Sequence, residues 1–363
     1  MADRVSPPPT KRRRVGGTDG DAGLNDKEVP QSFLSIYSWN VNGIQPFIQK
    51  SITSFFTGVA PKKRETSQSD GETQKQYGPS LRMFLQRHHW PTLLFLQEVK
   101  ISPDDHATQR SIEAAVSLKT LEDDGPEYVA RFCLPTDKYN ARGFGRKVYG
   151  VCSIIRKDFM DDQVERIRTV DWDCEGRFQV IETKGSLLPR LSIWNIYAVN
   201  GTTNIYKSPE TGHVVGTRHD RKLAVHAHLL AESKRLEAEG YQIILAGDMN
   251  VARSKIDGFP NLRTSPEQHV RNRADFNKKF FADPDGLRAI DTFRHLHSEK
   301  RGYTYYPRGR PFGSTCDRVD LIICSSSLQN KLTTAGMLET PAERGPSDHC
   351  PLYATFDFGA GKS

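Results

Sequence analysis

Six stretches of the chain share one plan, in which an apolar run of strand length meets an amide, a carboxylate, a phenol or an imidazole at one end. They are SWNVNG, LFLQEVK, IYAVNG, ILAGDMN, DRVDLI and GPSDHCPLY. FLSIYSWN alternates large and small residues with the period of two that a strand demands. PTLLFLQEVK reads as a buried strand with polar residues at its exit, and LSIWNIYAVNG and YQIILAGDMN read as apolar runs ending in Asn or Asp. Between the last two lies RHDRKLAVHAHLLAESKRLEAEG, helical in period, with Gly240 placed to end it. These pieces make a set of strands with a helix among them, and the strands close on functional groups.

The groups so presented are Asn40 and Asn42, Glu98, Tyr197 and Asn200, Asp248 and Asn250, Asp320, and Asp348 with His349. Residues i and i+2 of a strand share a face, so Asn40 with Asn42, and Asp248 with Asn250, are expected to point into one cleft. Asn at a strand end is also an ordinary turn residue, and Asp-x-Asn also forms a turn closed by its own side chain. Asp320 also reads as an ion-pair partner of Arg318. Turn chemistry alone does not explain why so many strands close this way. Phosphodiester hydrolysis needs a hard cation, an activated water and stabilisation of charge on the phosphoryl oxygens. Glu98, helped by Asn42 and Asp348, offers the oxygen ligands that Mg²⁺ prefers. The six cysteines occur singly and never as C-x-x-C, which argues for reduced thiols and against a zinc site.

At 363 residues the chain has room for one large domain or two ordinary ones, and nothing marks a second boundary after residue 30. Residues 1–29 read as a disordered basic tail, residues 30–358 as the catalytic domain and 359–363 as a short tail. Residues 60–79, nearly free of aliphatics, read as a flexible insertion. The run Lys11-Arg12-Arg13-Arg14 reads as a nuclear import signal; a nucleic-acid contact, a solvated tail or another organelle are alternatives. A net charge of +7 fits a polyanionic partner. No apolar run reaches the roughly 18 residues of a membrane span, so no membrane partner is expected.

In this order, SWNVNG, LFLQEVK, IYAVNG, ILAGDMNVA, DRVDLI and GPSDHCP resemble the exonuclease III class of abasic-site endonucleases, within the endonuclease/exonuclease/phosphatase superfamily. IDTFRHLHSEKRGYTYYP is also similar to that class, and the likeness spans residues 32–357. It implies a four-layer α/β sandwich, two mixed sheets face to face with helices outside. It implies a Mg²⁺-dependent nuclease, with Mn²⁺ as a substitute, that cuts double-stranded DNA 5′ to abasic sites. A 3′–5′ exonuclease and 3′-phosphodiesterase activity on blocked ends, and a monomeric state, belong to the same expectation.

By motif, Glu98 with Asn42 would hold Mg²⁺, and Asp348 would lie near it. Asp248 would activate the water, and Asn250 would help hold it and the phosphate. Tyr197 would steady the leaving oxygen, and Asn200 and Asn40 would contribute to substrate binding. His349, oriented by Asp320, would meet the phosphoryl group, while Tyr305 and Val319 would line the sugar pocket. Asp317 stands where the animal type of the class has Trp. Arg142 and Arg146, in YNARGFGRKVYG, are expected on a loop against the DNA backbone, and Arg271 and Arg273 on another. Action on RNA or other phosphoesters, and a DNA-binding scaffold without catalysis, are the competing readings; intact Glu98, Asp248, Asp320 and His349 argue against the second.

Overall fold

The computed structural model describes residues 32–48, 80–117, 125–141 and 149–359. The basic tail, the insertion 60–79, Arg142 and Arg146 lie outside the described residues.

The strands are β1 (Phe33–Asn40), β2 (Leu93–Gln97), β3 (Tyr128–Cys133), β4 (Val151–Arg156), β5 (Val164–Thr169), β6 (Phe178–Thr183), β7 (Leu191–Tyr197) and β8 (Ile205–Lys207). They continue as β9 (Val214–Thr217), β10 (Gln242–Asp248), β11 (Gly258–Phe259), β12 (Ile290–Asp291), β13 (Cys316–Asp317), β14 (Asp320–Cys324), β15 (Leu332–Met337) and β16 (Leu352–Asp357). Two six-stranded sheets run β15-β16-β1-β2-β4-β3 and β12-β14-β10-β7-β6-β5. Each is mixed, with one parallel pair, β1/β2 in the first and β7/β10 in the second.

Alternation of side chains sorts the apolar residues into layers. Leu34, Ile36, Leu93 and Phe95 from one sheet meet Leu191, Ile193, Ile244, Ala246 and Ile322 from the other. The opposite faces pack on helices. Leu94, Leu96 and Ile154 face Phe84 and Leu85 of helix Leu81–Arg87 and Ile112 of helix His106–Ser117. Trp194, Ile243 and Leu245 face Val225 and Leu229 of helix Arg218–Ala238 and Phe276 of helix Glu267–Asn277. The result is the four-layer α/β sandwich, with helices outside two facing sheets. Phe95 is fully buried between the sheets, where truncation to Ala costs about 3–5 kcal/mol.

The same alternation carries polar residues onto the inner face as the strands near their ends. Asn40 follows Leu34 and Ile36 at even spacing, Asp248 follows Ile244 and Ala246, and Asn195 and Tyr197 follow Leu191 and Ile193. Beneath them lies a buried polar layer. Gln97 donates to Ser38 Oγ (3.0 Å) and Asn195 Oδ1 (2.8 Å), and Asn195 donates to Ser153 Oγ (3.2 Å). A sheet interface that begins as hydrocarbon thus ends as a hydrogen-bonding surface, open at the strand ends.

Candidate active site

β1 and β10 end alike. Asn40 Oδ1 accepts the N–H of Asn42 (3.0 Å), and Asp248 Oδ1 accepts that of Asn250 (2.8 Å). Each bond closes a turn that leaves Asn42 (φ 50°) and Asn250 (φ 52°) in the left-handed region, which Asn tolerates. This corrects the expectation of a shared pleat: the strands stop at Asn40 and Asp248, and the turn brings the second residue round. The turn reading and the cleft reading are both satisfied. Gly247, at φ 147°, lets β10 lie close against β7 just before Asp248, since a Cβ there would fall 1.9 Å from the Ile196 carbonyl oxygen. Glu98 is also left-handed (φ 54°), without an amide to ease it.

These ends meet in one cleft of about 350 Å³, lined by Asn40, Asn42, Glu98, Tyr197, Asn200, Asp248, Asn250, Tyr305, Val319, Asp348 and His349 among others. Asp320 is buried behind it, and its Oδ2 accepts the Nδ1–H of His349 at 2.8 Å. The Thr304 hydroxyl oxygen accepts the N–H groups of Val319 (3.1 Å) and Asp320 (3.0 Å), fixing that carboxylate's base. Asp348 and His349 precede β16 rather than belonging to it, and they diverge. Asp348 Oδ1 accepts from Asn42 Nδ2 at 2.6 Å, while His349 turns to Asp320. Ser347 ties this segment to β1, donating to the Asn40 carbonyl (2.6 Å) and accepting the His349 N–H (3.0 Å).

Burial, then the negative charge of Asp320, raises the Asp248 carboxyl to about 7, against the pull of His349 and Asn40. Burial works against a charge on His349, but Asp320, with Asp248 and Asp348, raises it to about 10. The imidazole therefore stays a cation at neutral pH and offers its other N–H to the cleft. Burial, then Glu98, pushes the Tyr197 phenol well above its ordinary value, so it remains a hydroxyl donor. Asn40 Nδ2 donates to both Asp248 Oδ2 (3.0 Å) and Glu98 Oε2 (3.2 Å), holding the two carboxylates in place.

Two donor sets bear on a metal. Among the described residues, Asp248, Asp320 and His349 have ligand atoms within 4.8 Å of one another. This is not the set expected from the sequence, and an imidazolium already bonded to a carboxylate has no lone pair to give. Glu98 and Asn42 fit a cation better. Glu98 Oε1 lies 3.0 Å from the Lys100 ammonium, which also donates to Asn42 Oδ1. A positive charge already sits among their oxygens, and Asp348 adjoins Asn42. This all-oxygen set suits a hard divalent ion.

The cleft also takes in Lys222, Arg263, His269 and Asn272, which the sequence did not single out, with Asp317, noted there as a departure from the class, and Arg273, expected on a loop. HVRNRADF is not a loop but part of helix Glu267–Asn277; Glu, Gln, Arg and Ala are adequate helix formers even without a broad apolar stripe. Lys222 Nζ donates to the Asn250 carbonyl at 2.7 Å, and burial lowers the ammonium to about 7 while Asp248 pulls the other way. Tyr306, next to Tyr305 in the chain, does not line the cleft and donates its hydroxyl to Glu339 at 3.1 Å.

The fold has solved counterparts. An AP endonuclease from Archaeoglobus fulgidus is 19% identical with a TM-score of 0.55, over 89% of this chain and 99% of that one. The APE2 catalytic domain from Xenopus laevis is 19% identical with a TM-score of 0.58, over 91% and 94%. A 3′ phosphatase from Neisseria, solved bound to a product DNA hairpin, is 19% identical with a TM-score of 0.55, over 89% and 99%. At such identities the likeness is one of fold. No curated protein sequence matches the chain. The Endonuclease/Exonuclease/phosphatase family model matches residues 37–349, from within β1 to the imidazole described above. On that match the chain is a phosphoester-cleaving enzyme and belongs to the Endonuclease/Exonuclease/phosphatase family.

Proposed function

We propose that the chain is a Mg²⁺-dependent DNA repair nuclease that hydrolyses the phosphodiester 5′ to abasic sites and also trims 3′ ends. The observation that carries the reading is a carboxylate poised near neutrality, Asp248, within 4.8 Å of a cationic imidazole, His349. A base and an anion-binding acid at that spacing can serve the water and the phosphoryl oxygen of one hydrolysis. The solved counterparts, an AP endonuclease and a 3′ phosphatase holding product DNA among them, favour DNA among phosphoesters.

In this reading Asp248 takes a proton from the attacking water, held in place by Asn40 and the Asn250 amide. His349 donates its free N–H to a phosphoryl oxygen, with Asp320 keeping the ring charged and oriented. Asn200 and Asn250 bind the remaining phosphoryl oxygens, and the Tyr197 hydroxyl donates to the leaving oxygen. Glu98, with Asn42 and Asp348, would hold a divalent cation. When bound, that ion supplies charge neutralisation at the phosphate. The protein acts as a monomer on double-stranded DNA, with the basic tail directing it to the nucleus.

The test is a duplex carrying one abasic analogue, incubated with the purified chain in Mg²⁺ and in EDTA. Incision on the 5′ side in Mg²⁺ alone is expected. Binding without cleavage in any metal would sink the reading.

A further inference from the structure

One end of the cleft carries polar groups that the hydrolysis does not use. Asp317 is fixed by its backbone, pairing with Gly258 in β11 and bridging Tyr305, and its carboxylate faces the cleft half-buried. Gly258 leaves it room, since a Cβ there would come within 3.1 Å of Asp317 Oδ1. Arg263 and Arg273 line the same end. Each guanidinium is oriented by a backbone carbonyl, Arg263 by that of Ser265 (3.1 Å) and Arg273 by that of Arg263 (3.0 Å). Among the described residues neither guanidinium has a carboxylate within the 4.0 Å of an ion pair, and the Asp317 carboxylate accepts no hydrogen bond. The three do feel one another. Burial raises the Asp317 carboxyl, and Arg263 and Arg273 pull it back.

We infer that this end of the cleft reads the edge of a nucleobase, and that Asp317 decides between a base-bearing nucleotide and a bare sugar. The inference rests on the 3′-end trimming in the nuclease reading above, and it sets that activity over incision at abasic sites. A bare sugar brings few polar groups and leaves the half-buried Asp317 carboxylate without a donor. A phosphate would satisfy the guanidiniums but press its charge on Asp317. A base edge presents N–H donors beside carbonyl and ring-nitrogen acceptors, which is the complement of a backbone-fixed acceptor with guanidinium donors lining the same cleft. Tyr305, in the same cleft with its ring 4.9 Å from that of His349, adds an aromatic face for stacking.

The test compares removal of a 3′-terminal nucleotide bearing a natural base, a shape-matched apolar base analogue, or no base. Wild-type kcat/KM on the natural base should exceed that on the apolar analogue at least about tenfold, because only the natural edge answers the polar groups. Asp317→Leu should bring that ratio close to one and raise relative turnover of the baseless end. Arg273→Gln, on a helix surface, should narrow the ratio in the same direction and keeps the test open if the leucine variant does not fold. Equal wild-type rates on the natural base and its analogue overturn the inference while leaving the nuclease reading intact. So does an unchanged ratio in both folded variants, or a loss that follows a neutral methylphosphonate beside the scissile bond rather than the base. Failure to hydrolyse any DNA overturns the nuclease reading and this inference together.

Discussion

β1 and β10 occupy equivalent places. Each has a parallel neighbour on one side, β2 or β7, and an antiparallel one on the other, β16 or β14. Each ends in a side-chain-closed turn with Asn two residues on in the left-handed region. The difference is one functional group, the amide of Asn40 against the carboxylate of Asp248. An amide both accepts and donates, so Asn40 closes its own turn with Oδ1 and still holds Asp248 and Glu98 with Nδ2. A carboxylate only accepts, so Asp248 closes the same turn and keeps a basic oxygen. One backbone device serves twice, once to position and once to react.

Making the two halves alike should do the most damage. Asp248→Asn copies the β1 turn into β10 and keeps the bond to the Asn250 N–H, so circular dichroism should be unchanged. Turnover should fall about 10²–10⁴-fold, the worth of a positioned base; a loss under about threefold would remove Asp248 from that role. His349→Ala should fall in the same range, with duplex affinity retained in a gel-shift titration. Glu98→Gln is expected to raise the Mg²⁺ concentration for half-maximal rate about tenfold, with a parallel loss in calorimetric Mg²⁺ binding to the protein alone.

The reverse swap, Asn40→Asp, tests the supporting half. Asp248 must lose a proton to act, so the rate should rise with pH through about 7. A second carboxylate beside it raises its pKa further and should move that acid limb upward by roughly one unit. The smallest effect is on stability. His349 is raised from 6.5 to about 10 in the folded chain, so its contribution is complete below 6.5 and lost as pH climbs through about 10. The urea midpoint of wild type should therefore approach that of His349→Ala as pH rises from 6 to 10.

Much of this plan could be read in the residues. A strand's period and its polar exit are local properties, so Asn40, Glu98, Asp248 and Asn250 were visible as candidates. The helix at residues 267–277 was not, because it buries only Asn272 and Phe276 and so lacks the apolar stripe that announces a helix. Lys222 reads as one more basic residue on an amphipathic helix; only the packing of that helix against β10 turns it into the cleft. Gln97 and Asn195 did leave a signal, being polar residues inside runs buried on both faces. A buried amide in such a run must find partners, and these two find each other across the sheets.

The backbone at Glu98 has a further consequence. A glutamate at φ 54° is held in a conformation that costs roughly 1–3 kcal/mol, and the surrounding structure must supply that amount. Asn and Gly, the residues at ease there, would relax the chain and take away the carboxylate that faces Asn40 and Lys100. Durability and turnover therefore pull this position in opposite directions, and a variant selected for heat resistance alone would tend to lose its chemistry here first.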